Sequence, residues 1–259
     1  MSTLIEMNDR RFSVEEGAHG RFWRKLKKGV WEPETFEVFD AQIDPDALMI
    51  DVGAWIGATC LYGAQLAKRC IAFEPDPIAF AALEKNVACN ADTDWVDRLS
   101  IVNGAVNKDG KSFKLGARNE GGDSQSSVLF GDRETTWTVN AQRLDEVVKA
   151  HADADQPIFL KIDIEGGEYD LIPEIAPVLA DPRVRAFISF HPMLLRNALT
   201  AEKGDEGWKP GFVDAHMAAL AALPWDKDTT FLDGQGRNRA ALEHVLQKRY
   251  KFPRQLLIA

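Results

Sequence analysis

Short apolar runs that end in a glycine or an acid alternate along this chain with longer stretches of helical character. Leu48-Met49-Ile50-Asp51-Val52 is such a run, the pattern of a parallel strand buried on both faces. Residues 58–68 read as a helix, and Cys70-Ile71-Ala72-Phe73-Glu74 as a second strand. Asp76 is placed to cap a further helix, with Pro77 at its first position and its end near Asn90. Leu99 to Asn103 gives a third strand. Between residues 107 and 146 the alternation yields to turn signals, Lys108-Asp109-Gly110 and Glu120-Gly121-Gly122-Asp123, with strand-like pieces at 111–115 and 136–139. This reads as a β-rich insertion carrying a mobile loop. A helix begins near Arg143, a strand spans Ile158 to Asp163, and a helix starts at about Glu168. Val184 to Phe190 is another strand, followed by a helix at 213–223 and late strands near 229–231 and 255–258. The whole predicts a doubly wound, mostly parallel α/β sheet of Rossmann type, which takes its ligands at the carboxyl ends of the strands. The positions that matter are therefore Asp51, Glu74, 103–106, Asp163 to Glu168, and His191.

The length of 259 residues suits one large domain with an appendage. Residues 1–46 are expected to form a helical N-terminal extension or lid, and residues 47–259 the main domain. Trp23, Trp31, Phe36 and Phe39 offer the extension an apolar face to pack. Its basic run, Arg21 to Lys28, suits either a solvated helix face or a substrate-facing surface. With 31 basic and 40 acidic residues the formal charge is −9, which argues against nucleic acid and anionic membrane as general partners. The start of the chain has no apolar signal region and no run of 18 apolar residues exists, so a cytoplasmic protein is expected. Cys60, Cys70 and Cys89 lack metal-type spacing and read as buried free thiols.

The first strand runs into Asp51-Val52-Gly53-Ala54-Trp55-Ile56-Gly57. Glycines at 53 and 57 allow a sharp turn and close backbone approach to a ligand. Glu74 ends the next strand 23 residues after Asp51, near the spacing of about 20 at which an acid meets a ribose in nucleotide-binding βαβ units. Asp51 beside the turn would repel a pyrophosphate but attract a cationic ligand such as S-adenosylmethionine, which has no phosphate. The third glycine of a dinucleotide fingerprint and the lysine of a P-loop are both missing.

A second acidic element follows the 158–163 strand: Leu160-Lys161-Ile162-Asp163-Ile164-Glu165-Gly166-Gly167-Glu168-Tyr169. Glu168 suits helix capping, whereas Asp163 and Glu165 at a strand mouth suggest function. Here the chain resembles the FkbM family of methyltransferases, from about residue 30 to 192. The resemblance rests on Ile50 to Ala54, Phe73-Glu74-Pro75-Asp76, Leu160 to Glu168, Trp31-Glu32-Pro33-Glu34-Thr35 and the serine loop Gly122 to Ser127. It implies a class I methyltransferase fold, S-adenosylmethionine as donor, and methyl transfer to oxygen on sugars or other natural products. It also implies that Glu34, Thr35, Asp51, Gly53, Ala54, Gly57, Glu74, Pro75, Asp163 and Glu165 surround the cofactor. The family commonly has asparagine where this chain has Trp55.

A hydroxyl acceptor would need a base. His191, in Ser189-Phe190-His191-Pro192, and Asp163 are the candidates; His19, His151, His216 and His244 read as surface residues. Asp163, Glu165 and Glu168 offer oxygen ligands to a divalent cation, but their spacing is no recognised magnesium pattern and no metal is expected. The expected partner is a small-molecule acceptor. The competing readings are an NAD(P)-dependent oxidoreductase and an inactive cofactor-binding scaffold.

Overall fold

A hairpin, rather than a helix, opens the chain: β1 (Ser2–Met7) pairs antiparallel with β2 (Arg10–Glu15). Its two-residue turn, Asn8-Asp9, has positive φ at both positions (45° and 62°), the geometry that tight hairpins require and that Asn and Asp tolerate. The hairpin docks on the main domain through two asparagines one helical turn apart. Asn86 and Asn90 accept hydrogen bonds from the backbone N–H groups of Glu15 and Ser13, each at 2.8 Å. The expected helices follow as α1 (Gly20–Lys27) and α2 (Pro33–Gln42). Trp23 and Leu26 are buried while Arg21, Arg24, Lys25, Lys27 and Lys28 are exposed, so the basic run is a solvated face.

The computed structural model describes residues 2–116, 136–232 and 239–259; the loop Gly122 to Ser127 lies outside them. The main domain proceeds through β3 (Leu48–Val52), α3 (Ala58–Gly63), β4 (Arg69–Phe73), α4 (Pro77–Ala88) and β5 (Leu99–Val102). Asp76 caps α4 as expected, accepting from the N–H groups of Ile78 and Ala79. The insertion supplies β6 (Ala105–Asn107), β7 (Phe113–Gly116), β8 (Thr136–Val139) and β9 (Ala141–Arg143), where β7 and β8 form an antiparallel pair. There follow α5 (Leu144–His151), β10 (Ile158–Ile162), α6 (Glu168–Glu174), α7 (Ala176–Leu179) and β11 (Val184–Ser189). The expected helix at 213–223 is the second half of a longer one, α8 (Pro192–Ala222), broken where Gly204 leaves helical geometry (φ 79°, ψ 175°). Then come β12 (Thr229–Phe231), α9 (Arg239–Arg249) and β13 (Gln255–Ile258).

The seven-stranded sheet has the order β12-β13-β11-β10-β3-β4-β5. The pairings β5–β4–β3–β10–β11 are all parallel, and β13 runs antiparallel between β11 and β12. Side-chain alternation sorts its core into two layers. Ile50, Val52, Leu160, Ile162 and Ile188 meet helices α5 to α9 on one face. Met49, Ala72, Phe159 and Phe187 meet α3, α4 and the N-terminal segment on the other. Phe39 of α2 joins that second layer edge-to-face with Phe159 (centroids 5.2 Å) and Phe187 (6.2 Å). Such ring pairs contribute about 0.5–1.5 kcal/mol each beyond the area they bury. Cys60 and Cys70 are buried, but Cys89 just past α4 is exposed, contrary to expectation. His216 likewise departs from its surface assignment. It is fully buried among Tyr169, Phe212 and Phe252, and burial pulls its pKa down to about 4. A histidine kept neutral in this way serves packing.

Candidate active site

The two acidic motifs meet because β3 and β10 are neighbours in register, Asp51 opposite Lys161 and Val52 opposite Ile162. Beyond the strand ends the backbones stay joined. Asp163 N–H donates to the Val52 carbonyl, and the Gly53 and Ala54 N–H groups donate to the Phe73 carbonyl, all at 3.0 Å. Gly53 has φ 89°, and a Cβ there would stand 1.9 Å from the Asp163 carbonyl oxygen, so only glycine lets the two turns approach this closely.

Alternation turns Asp51 away from the ligand side, into the layer beneath the turn. Its carboxylate is fully buried, takes a 2.6 Å hydrogen bond from Thr59 and faces the Lys161 ammonium at 3.0 Å. Burial still raises its pKa, against the pull of Lys161 and Thr59. Lys161 also donates to the Gly53 carbonyl at 2.7 Å and lies 3.9 Å from Asp163. Burial would strip its proton, but Asp51 and Asp163 outweigh burial and raise its pKa. Asp51 and Lys161 thus brace the glycine turn from below, and Asp51 does not offer free negative charge to a ligand.

Above the turn, a cavity of about 240 Å³ opens at the carboxyl ends of β3, β4, β5 and β10. Val52, Phe73, Pro75, Val106 and Leu171 give it apolar walls, and Gly53, Gly104 and Ala105 keep it open. Its ionisable lining is wholly acidic: Glu74, Asp163, Glu165, Asp170 and Glu174. Among the described residues no lysine, arginine or histidine lines it. Glu74 accepts the N–H groups of Trp55 (2.7 Å) and Asp76 (2.8 Å), which leaves each oxygen a second lone pair for a ligand hydroxyl. Burial pushes its pKa up to about 7, against those two bonds.

A larger cavity, about 940 Å³, adjoins the first and shares Glu165 with it. Glu32, Glu34, Ser189, His191, Arg196 and Arg254 are among its lining residues. His191 stands where β11 ends, and Glu168 fixes it. That fully buried carboxylate accepts from the His191 N–H (2.6 Å) and the Gly166 N–H (2.8 Å), and meets the imidazole Nδ1 at 2.9 Å. The imidazole Nε2 faces Asp163 (3.4 Å) and Glu165 (3.6 Å). Burial alone would lower the pKa of His191; the hydrogen bond and charge of Glu168, with Asp163 and Glu165, raise it to about 10.

Of the residues expected around the cofactor, Gly53, Glu74, Pro75, Asp163 and Glu165 line the first cavity. Asp51, Ala54, Gly57 and Thr35 do not: all four are packed beneath or beside it, and Thr35 is buried with its hydroxyl on Glu32 (3.2 Å). Glu34 lines the second cavity instead. Two residues, Glu32 and Lys161, escaped sequence reading, and Glu168 takes a role other than the capping expected of it. Glu32 faces the site and has its pKa raised by burial and by Asp163. Lys161 gave a signal, a lone lysine inside an apolar strand, whose partner had to be a buried acid. Glu168 has helix-terminal placement but spends its carboxylate on His191.

An acid-lined nucleoside-sized recess over a glycine turn is what a cationic, phosphate-free cofactor needs. A profile of the methyltransferase FkbM domain matches residues 51–214. The chain belongs to the FkbM methyltransferase family. The doubly wound, mostly parallel sheet is the one expected, and the methyltransferase family implies S-adenosylmethionine as cofactor. Among solved structures it is similar to methyltransferase FkbM from Methylobacillus flagellatus KT, with 13% identity and a TM-score of 0.48 over 95% of this chain and 56% of that one. The chain therefore spans little more than half the length of that protein. It is also similar to precorrin-6y C5,15-methyltransferase from Geobacter metallireducens GS-15 (13% identity, 82% and 80% of the two chains, TM-score 0.40). A further likeness is to an rRNA methylase from Streptococcus thermophilus (10% identity, 86% and 92%, TM-score 0.43). No curated protein matches the chain. In the glycine turn Trp55 adopts φ 48°, a left-handed conformation asparagine accepts readily and tryptophan does not. The N-terminal segment holds it there: His19 and Phe22 pack edge-on against the indole, with centroids 5.2 and 4.6 Å away.

Proposed function

We propose that this protein is an S-adenosylmethionine-dependent O-methyltransferase acting on a small hydroxylated molecule, a sugar or another natural product. The supporting observation is the seam between the two cavities. Glu165 borders both, and Asp163 and His191 stand beside it, so an acceptor in the larger cavity reaches the donor cavity past groups that handle protons. S-adenosylmethionine supplies a methyl group already activated on a sulfonium, so the protein's task is positioning and proton removal. Glu74 suits the ribose hydroxyls, the acidic lining as a whole suits the cationic end, and Phe73, Val106 and Leu171 suit the adenine faces. At the seam the Asp163 carboxylate takes the acceptor's proton while His191, anchored by Glu168, holds that carboxylate in place. The N-terminal residues 1–46 carry Glu32 and Glu34 to the acceptor side, which fits a lid over the site. No helix among the described residues is long and apolar enough to cross a membrane, and the net charge of −9 disfavours a nucleic-acid acceptor.

The test is incubation of the purified protein with methyl-labelled S-adenosylmethionine and a metabolite extract, followed by mass spectrometry of the labelled products. Label in ethers of small hydroxylated compounds is expected. Label found on nitrogen, or on RNA alone, would overturn the reading.

A further inference from the structure

We infer that Asp163, Glu165 and His191 form a binding site for a divalent cation at the seam of the two cavities. One ligand atom from each, two carboxylate oxygens and an imidazole nitrogen, lie within 4.8 Å of one another, close enough to converge on a single ion. All three side chains are partly buried, at 24%, 19% and 22% exposure, so they are neither free surface acids nor sealed off from solvent.

The second observation lies outside the trio. Metal-ligating histidines are oriented by a carboxylate on their other ring nitrogen, which fixes both tautomer and direction. Glu168 does this here. Its fully buried carboxylate meets Nδ1 at 2.9 Å and the His191 backbone N–H at 2.6 Å, which leaves Nε2 turned toward Asp163 and Glu165. Glu168 is thus the orienting group, and His191 replaces it in the oxygen trio that the sequence suggested. Charge points the same way. Lys161, 3.9 Å from Asp163, is itself committed to Asp51 at 3.0 Å and to the Gly53 carbonyl.

Two carboxylates and one imidazole suit a first-row divalent ion such as Mn²⁺, with remaining positions open to water and to an acceptor oxygen. Such an ion would favour the ionised form of a hydroxyl held beside the donor cavity. That role rests on the O-methylation reading; the coordination itself does not. With the cation held by one oxygen of Asp163, the other oxygen would still take the acceptor's proton.

The test titrates MnCl₂ into EDTA-treated, full-length protein, followed by calorimetry and by loss of the free-ion electron paramagnetic resonance signal. S-adenosylhomocysteine binding is measured on the same samples. One equivalent of Mn²⁺ is expected, with imidazole nitrogen coupling in pulsed spectra that disappears in His191→Gln. Asp163→Asn and Glu165→Gln should each weaken binding at least tenfold, and Glu168→Gln by about 10- to 100-fold, while S-adenosylhomocysteine still binds to Glu168→Gln. Wild-type protein that binds S-adenosylhomocysteine but not Mn²⁺, or binds Mn²⁺ without nitrogen coupling, overturns the site and leaves the methyltransferase reading intact. Coupled Mn²⁺ in a protein that methylates no hydroxyl supports the site and removes the reading.

Discussion

Replacing Lys161 by methionine removes the ammonium and keeps the length of the side chain. Asp51 then stays fully buried with one hydrogen bond, from Thr59 at 2.6 Å, and its other oxygen loses the partner it had at 3.0 Å. Leaving one member of a buried ion pair unpartnered costs about 3–5 kcal/mol, or two to four powers of ten in the unfolding equilibrium. With a urea dependence of about 3 kcal/mol per molar, the midpoint of unfolding should fall by about 1–2 M. Tryptophan fluorescence reports the transition. The loss should also depend on pH. Burial raises the pKa of Asp51 in the fold, so between its unfolded and folded values the native state holds more protons and stability falls as pH rises. The penalty should therefore be largest in alkali and smallest near pH 4, by the ordinary aspartate value. A double variant, Asp51→Leu with Lys161→Met, should recover most of the loss, because an apolar pair needs no counter-charge. A midpoint that moves by less than about 0.3 M in Lys161→Met would refute this account of the brace. So would a double variant as unstable as the single.

Three further outcomes follow from the same geometry. S-adenosylhomocysteine affinity, measured by calorimetry, should rise with pH through about 7, where buried Glu74 ionises under the opposing influences of Asp76 and Lys161, and Glu74→Gln should flatten that profile. The fold's own dependence has the opposite sense: the raised Glu74 pKa stabilises it below the ordinary glutamate value, and that contribution fades as pH climbs to about 7. Gly53→Ala drives a methyl group to 1.9 Å from the Asp163 carbonyl at positive φ, so it should destabilise by about 3 kcal/mol and abolish cofactor binding in the same titration. Trp55→Asn relieves about 1–3 kcal/mol of left-handed strain and forfeits two ring contacts of about 0.5–1.5 kcal/mol each. Its thermal midpoint should barely move, whereas protease cleavage within residues 1–46 should quicken as His19 and Phe22 lose their anchor.

Much of the sheet was legible because its strands carry their own punctuation. Leu48 to Val52 and Ile158 to Ile162 are apolar on both faces, as a central parallel strand must be, and each ends at an acid or glycine turn. Asp76-Pro77 announced its helix by cap chemistry alone. The N-terminal hairpin went unread because its apolar positions are few, although Asn8-Asp9 was the turn signal. Within the site, strand ends named the right residues but not their directions. Asp51 lies within β3, where alternation turns it below the turn, whereas Glu74, alike in sequence context, follows the last residue of β4 and stands beside the cavity. The pairing of Glu168 with His191 joins positions 23 apart and exists only because α6 and α8, which His191 caps, are packed together.

The outermost strands of the large sheet, β5 with four residues and β12 with three, are shorter than any of the four parallel neighbours that follow β5 inward. Unpaired backbone at a sheet margin is a template for another chain, and its hazard grows with the length of straight, exposed ladder. Here the long hydrophobic strands, Leu48–Val52 and Ile158–Ile162 above all, are shielded on both flanks by stubs too brief to seed cross-chain pairing. An α/β sheet left open to admit ligands along one rim can in this way remain resistant to self-association along its sides.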